Sequence, residues 1–116
     1  MLTEDPAPRR GPALPVTSTV DAEGVVTLVV AGEVDSLTAP DLQAALDSAL
    51  ADPACRQLRL DLSAVTFMSS AGLSVLIVTR ERTRTSTVEL QLVGLAGNRA
   101  VRRPLELTGM LDLFTS

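Results

Sequence analysis

Apolar positions along this chain fall into blocks whose spacing changes from block to block. Val16 to Val20 and Val25 to Ala31 are rich in β-branched residues, and Asp21-Ala-Glu-Gly24 between them carries turn chemistry. Both are predicted as strands, antiparallel because the loop joining them is short. The second is apolar at almost every position, which predicts burial on both faces. From Thr38 the spacing turns helical, with Leu42, Ala45, Leu46, Ala49 and Leu50 on one face. Thr38 suits an N-cap, Pro40 a first turn and Asp41 the third-residue partner of a capping box. Asp52-Pro53 supplies an end. Gln57 to Leu62 alternates again and is predicted as a strand. A helix between two strands with short loops implies a parallel crossover.

A pair of serines, Ser69 and Ser70, then precedes a second helical run. Leu73, Leu76 and Ile77 mark one face of it, and Val75 and Val78 widen that face. Serine is a favoured N-cap, and the positive end of the helix dipole favours an anion there. The stretch is therefore a strand, a loop and a helix start, with a hydroxyl aimed where a phosphate is tolerated. Arg80, Arg82 and Arg84 gather at the far end, where the dipole favours cations. Val88 to Val93 is a further strand, with Glu89 and Gln91 facing away from Leu90 and Leu92, as near a sheet edge. Gly94 to Gly97 is a loop. Asn98 is predicted to cap a last helix running through Leu107 and closed by Gly109. Pro104 either kinks that helix or delays its start to near Arg102. Leu111, Leu113 and Phe114 form a short closing segment. The order β-β-α-β-α-β-α predicts one α/β domain with a mixed β-sheet over residues 15–116. Residues 1–14 carry Pro6, Pro8, Gly11 and Pro12 without hydrophobic period, and are predicted to be a disordered tail.

Composition narrows the chemistry. The 116 residues suit one domain. Phe67 and Phe114 are the only aromatic residues, so the core must be built from Val, Leu, Ala and Ile. The net charge of −4 and the absence of a basic face argue against nucleic acid. The chain has no His, Lys or Tyr, so a serine nucleophile at Ser69 or Ser70 has no base to activate it. Ser-Ser-Ala-Gly is not the Gly-x-Ser-x-Gly elbow of hydrolases. Metal-ligand clusters and phosphate-binding glycine loops are also missing. Cys55 has no partner for an internal disulfide and reads as a small buried apolar residue. These absences predict a protein that is not an enzyme and holds no cofactor or metal. With no signal sequence and no run of roughly 20 apolar residues, it is expected in the cytoplasm without direct membrane insertion.

Asp61-Leu-Ser-x-Val-x-Phe-Met-x-Ser-x-Gly-Leu73 resembles the phosphorylation segment of anti-sigma factor antagonists, bacterial proteins of the STAS domain family. Gly32-Glu-Val-Asp35 resembles a second signature of that family, and the segment from Asn98 resembles its C-terminal helix, although Pro104 departs from it. The resemblance covers about residues 15 to 114. It implies that Ser70, two residues before Gly72, is phosphorylated by a partner kinase, with Ser69 the second candidate. The family's Asp before the phosphorylated serine is Ser69 in this chain. Asp35, Ser36, Ser69, Ser70 and Gly72 are then the expected partner-binding residues. The Gly72 position is read as one where a partner backbone can come close. The implied partner is an anti-sigma factor that is itself a serine kinase and binds the ATP. Unphosphorylated protein would bind it and free a sigma factor. Two alternatives stay open: a non-switching STAS subunit docked on a membrane transporter complex, and a domain sensing a small molecule or nucleotide in a groove beside the Ser70 loop. The expected oligomeric state is a monomer or weak dimer.

Overall fold

The computed structural model describes residues 14–115. It has four strands and four helices: β1 (Val16–Val20), β2 (Val25–Val34), α1 (Ala39–Ala51), β3 (Gln57–Met68), α2 (Ser70–Arg84), β4 (Glu89–Val93), α3 (Arg99–Leu107) and α4 (Leu111–Thr115). The strands form one sheet in the order β1-β2-β3-β4. The β1–β2 hairpin is antiparallel, while β2–β3 and β3–β4 are parallel, so the sheet is mixed as expected. Residues 1–13, the bulk of the predicted tail, lie outside the described residues. Leu14 does not belong to a tail. It is buried in the core, and its N–H donates to Asp41 Oδ2 at 3.1 Å.

One face of the sheet carries the core. Val26, Leu28 and Val30 of β2 and Leu58, Leu60 and Leu62 of β3 are buried there. Leu42 and Leu46 of α1 and Leu76 of α2 belong to the same cluster, all fully buried. Each such side chain contributes about 1.5–3 kcal/mol relative to exposure. Burial of β2 on both faces does not hold. Val29 is exposed on the other side, beside half-buried Thr27. The same side carries Gln91, whose Oε1 accepts from Gln57 Nε2 at 2.9 Å and Arg59 Nε at 3.2 Å. Solvated polar groups cover that face in place of a second helical layer.

Both strands that lead to the Ser70 region outrun their predicted ends. β2 continues from Ala31 to Val34, and β3 from Leu62 to Met68. They stay paired because β3 absorbs two irregularities: Val29 opposes Asp61 but Ala31 opposes Ala64, and Gly32 opposes Val65 but Glu33 opposes Phe67. Each bulge adds a residue to β3 and bends it, which breaks the alternation a sequence reading follows. Gly32 has φ +92° at the second irregularity, a backbone that favours glycine.

α3 starts at Arg99, not near Arg102, and runs through Pro104. Val101 and Leu105, both fully buried, anchor it on either side of the hydrogen bond that proline removes. The closing segment is the helix α4, with Leu111 and Phe114 packed against the core. Cys55 is buried, and burial first, then the nearby Asp52 charge, pushes its thiol pKa up, as in an unreactive cysteine.

Candidate functional site

Two connections meet at the C-terminal ends of β2 and β3. The Ser69 N–H donates to Val34 O at 2.8 Å, so the residue ending β2 and the residue just before α2 are tied by one backbone bond. Asp35 follows Val34 directly, which places the Asp35-Ser36 loop beside the Ser69-Ser70 turn.

The two serines have different tasks. Ser69 is half-buried with extended backbone, and its Oγ accepts from the Gly72 N–H at 3.4 Å. It is the N-cap of α2. Ser70 is the first residue of the helix and is exposed. Its Oγ enters no hydrogen bond with another described residue. A free hydroxyl at the positive end of a 15-residue helix is accessible to an incoming group, and an anion placed there is stabilised by the dipole.

Asp35 is a capping residue for the turn before α1. Its Oδ1 accepts from the backbone N–H groups of Leu37 and Thr38, each at 3.0 Å, and its own carbonyl accepts from Ala39 N at 2.8 Å. The Thr38 N–H, above all, holds the carboxyl below the usual carboxylate range; partial desolvation opposes this and the Leu37 N–H adds to it. Asp35 is therefore ionised at neutral pH. Thr38 is the N-cap of α1 by position only. Its Oγ1 accepts from Asp35 N at 2.9 Å and donates to Glu33 O at 2.8 Å, so it fastens the loop to β2 and makes no cap bond to the helix. The expected capping box with Asp41 is not formed; Asp41 instead receives the Leu14 N–H.

Ser36 is exposed in the same loop. Gly72 is not on the outer surface. It is buried, and a Cβ built on it would stand 2.2 Å from Met68 Sδ and 2.7 Å from Val34 Cγ1. The close approach it permits is internal, where α2 settles onto the ends of β2 and β3. Two residues of this region that the motif did not single out as contacts are Leu37, 54 % exposed, and Phe67, 49 % exposed. A lone apolar residue in the polar run Asp35-Ser-Leu-Thr38 is the signal that marks Leu37.

Among the described residues there is no cluster of His, Cys, Asp and Glu fit to hold a metal ion, and no helix long and apolar enough to cross a membrane. A groove of about 980 Å³ runs along β4 and is lined by Arg80, Arg84, Arg102, Leu113 and Phe114. Neither it nor the smaller groove between β1 and α1 is lined by Asp35, Ser69 or Ser70. The arginines at the end of α2 pair with acids: Arg82 with Asp47 of α1, and Arg80 and Arg84 with Glu81. Such exposed pairs contribute little to stability.

The model of the STAS domain matches residues 17–116. The anti-sigma-F factor antagonist RsfB of Mycobacterium tuberculosis is 40% identical over 100 residues, which is 85% of this chain and 79% of that one. The anti-sigma-B factor antagonist of Listeria monocytogenes is 35% identical over 89 residues, 77% of this chain and 75% of that one. Among solved structures, an anti-sigma factor antagonist from Mycobacterium paratuberculosis superposes with a TM-score of 0.69 at 38% identity, covering 87% of this chain and 84% of the other.

Proposed function

This chain belongs to the STAS domain family, and we propose that it acts as an anti-sigma factor antagonist switched by phosphorylation of Ser70. In its free form it binds an anti-sigma factor and so releases a sigma factor. The partner is a serine kinase that supplies ATP and transfers its γ-phosphoryl group to Ser70 Oγ. The phosphorylated chain then leaves the complex. The names of its relatives are regulatory and not enzymatic, and the reading gives this chain no catalytic group of its own. It places the protein in the cytoplasm, where a sigma factor works.

The observation that carries the switch is the division of labour at the start of α2. Ser69 is committed to the cap, while Ser70 is exposed and its hydroxyl is bonded to no other described residue. A phosphate there adds about −1.5 to −2 charge at neutral pH. The helix end accommodates it, but a packed interface must desolvate or exclude it. Leu37 and Phe67 give the same end of the molecule an apolar component, beside the ionised Asp35.

The test is site mapping after incubation with the anti-sigma kinase and ATP, together with binding measured before and after. Phosphate on Ser70 and loss of the complex are expected; Ser70→Ala should bind whether or not ATP is present. Phosphate on Ser69 alone overturns the assignment of the site. Binding without phosphate on either serine makes this a non-switching member of the family.

A further inference from the structure

The Asp61-Leu-Ser63 part of the motif has no place in the partner-binding reading, and the structure gives it one. β4 pairs with β3 only as far as Val93 opposite Asp61. β3 continues for seven residues beyond, from Leu62 to Met68, and that extension leads straight into Ser69 and Ser70. On one side it is paired with β2. On the other side β4 has ended, and the Asn98 side chain takes its place. Asn98 Nδ2 donates to Leu62 O at 2.8 Å and to Val65 O at 3.0 Å, with Ser63 O at 3.5 Å. The two shorter bonds span the first bulge. Asp61 Oδ1 closes the same bulge from within by accepting from Ser63 N at 2.9 Å and Ser63 Oγ at 2.7 Å. Gly94 fits over it because a Cβ there would lie 2.6 Å from Ser63 N.

We propose that Asn98 is a positioning residue for Ser70: its amide stands in for the missing strand, fixes the bulged extension of β3, and so sets where the phosphate-accepting turn is presented. This rests on the reading that the Ser70 end meets the partner. Asn98 also does a second, separable job. Its Oδ1 accepts from Ala100 N at 3.1 Å and caps α3. Aspartate and serine cap helices about as well as asparagine, but neither carries the amide donors. Asn98→Ser and Asn98→Asp therefore keep the cap and remove the clamp. In Asn98→Asp a carboxylate faces the carbonyls, whereas Asn98→Ser is neutral and too short to reach them, which guards against a variant that fails to fold.

Amide hydrogen exchange on the isolated protein separates positioning from general stability. With the clamp gone, the amides of residues 64 to 70 should exchange about tenfold faster, the effect of losing a hydrogen bond or two. That acceleration should be measured relative to Val26 and Leu28 of β2, and α3 should keep its protection. A uniform change along the chain, or none at residues 64 to 70, overturns the proposal. In parallel, affinity for the anti-sigma factor and the rate of Ser70 phosphorylation should fall by a similar factor. Unchanged affinity and rate in a variant whose loop is loosened overturn it as well. If the unaltered protein binds no anti-sigma factor, the antagonist reading fails, and the exchange data still decide whether Asn98 holds the loop.

Discussion

Gly72→Ala puts the packing of α2 onto the sheet to a quantitative test. Two effects oppose each other. Alanine is a better helix former than glycine by about 1 kcal/mol, which stabilises the variant. Against this, the new Cβ would lie 2.2 Å from Met68 Sδ, 2.7 Å from Val34 Cγ1 and 3.4 Å from Val34 Cβ. Met68 contributes the end of a long, flexible side chain and can swing aside. Val34 cannot: it is fully buried, its χ1 is restricted, and its strand is paired with Met68. Overpacking of this kind costs about 1–3 kcal/mol, and the rigidity of Val34 places it in the upper part of that range. The net expectation is a loss of about 1–2 kcal/mol, or roughly 4–16 °C in Tm. The chain has no Trp or Tyr, so urea and thermal unfolding are followed by far-UV circular dichroism. A double-mutant cycle with Val34→Ala identifies the cause, because removing Cγ1 should make Gly72→Ala cost less by about 1 kcal/mol. Equal or higher stability of Gly72→Ala would refute the argument, since it would mean that Val34 yields and helix propensity decides.

Thr79 is buried on α2, and its Oγ1 has no hydrogen-bond partner among the described residues. Thr79→Val keeps the shape and removes the unsatisfied group, so it should raise stability by about 1 kcal/mol in the same unfolding assay; a loss would reveal a partner for the hydroxyl. Asp35→Asn keeps an oxygen for the Leu37 and Thr38 N–H groups but removes the charge. Because the folded pKa of Asp35 lies below its ordinary 3.8, its contribution is present above that value and disappears as pH falls through the folded pKa. The Tm of the unaltered protein should therefore exceed that of Asp35→Asn near neutrality and converge on it in acid; parallel curves across the titration would count against the ionic contribution. Removing residues 1–13 should leave Tm nearly unchanged, whereas Leu14→Ala should lower stability by about 2 kcal/mol or more, as for other buried leucines. A similar loss from both would show that the segment before Leu14 packs too.

The parts of the fold that were legible in the sequence are those in which pattern and packing obey one period. α1 is read from a helical spacing that survives in the structure, with Leu42, Leu46 and Ala49 buried. The mixed sheet follows from the short loop between β1 and β2 and from the helix that joins β2 to β3. Reading failed where two segments far apart share a task. The extension of β3 to Met68 depends on two bulges and on Asn98, none of which alternation can report. Thr38 has the residue type of a cap, but Glu33 and Asp35 claim its hydroxyl first. Gly72 carries the right signal for a close approach and the wrong partner, because the sequence does not say that Met68 and Val34 stand behind it. Leu14 reads as the end of a proline-rich tail, but its burial in the core and its bond to Asp41 make it part of the domain.

The serine pair shows why a departure from the family pattern need not change the site's physics. Serine and aspartate are comparable N-caps, since either places an oxygen on the unpaired N–H groups of the first turn. Ser69 does this through Gly72 N, so the cap survives without the carboxylate. What changes is charge. An aspartate there would hold a fixed negative charge next to the Ser70 hydroxyl; Ser69 leaves the α2 end without one, and its first turn contains no acidic residue. The nearby fixed anion belongs instead to Asp35, whose carboxylate is engaged by backbone N–H groups of its own loop. Phosphorylation of Ser70 on the proposed reading thus converts a helix terminus from uncharged to doubly charged, a larger relative change than the same event beside an aspartate. The domain's own contacts there are the Ser69 cap, a buried glycine and a backbone bond to Val34, and none of them involves the Ser70 hydroxyl. The change in charge is therefore presented outward, to whatever surface is packed against Ser70, Leu37 and Phe67, and the fold beneath has no bond to lose.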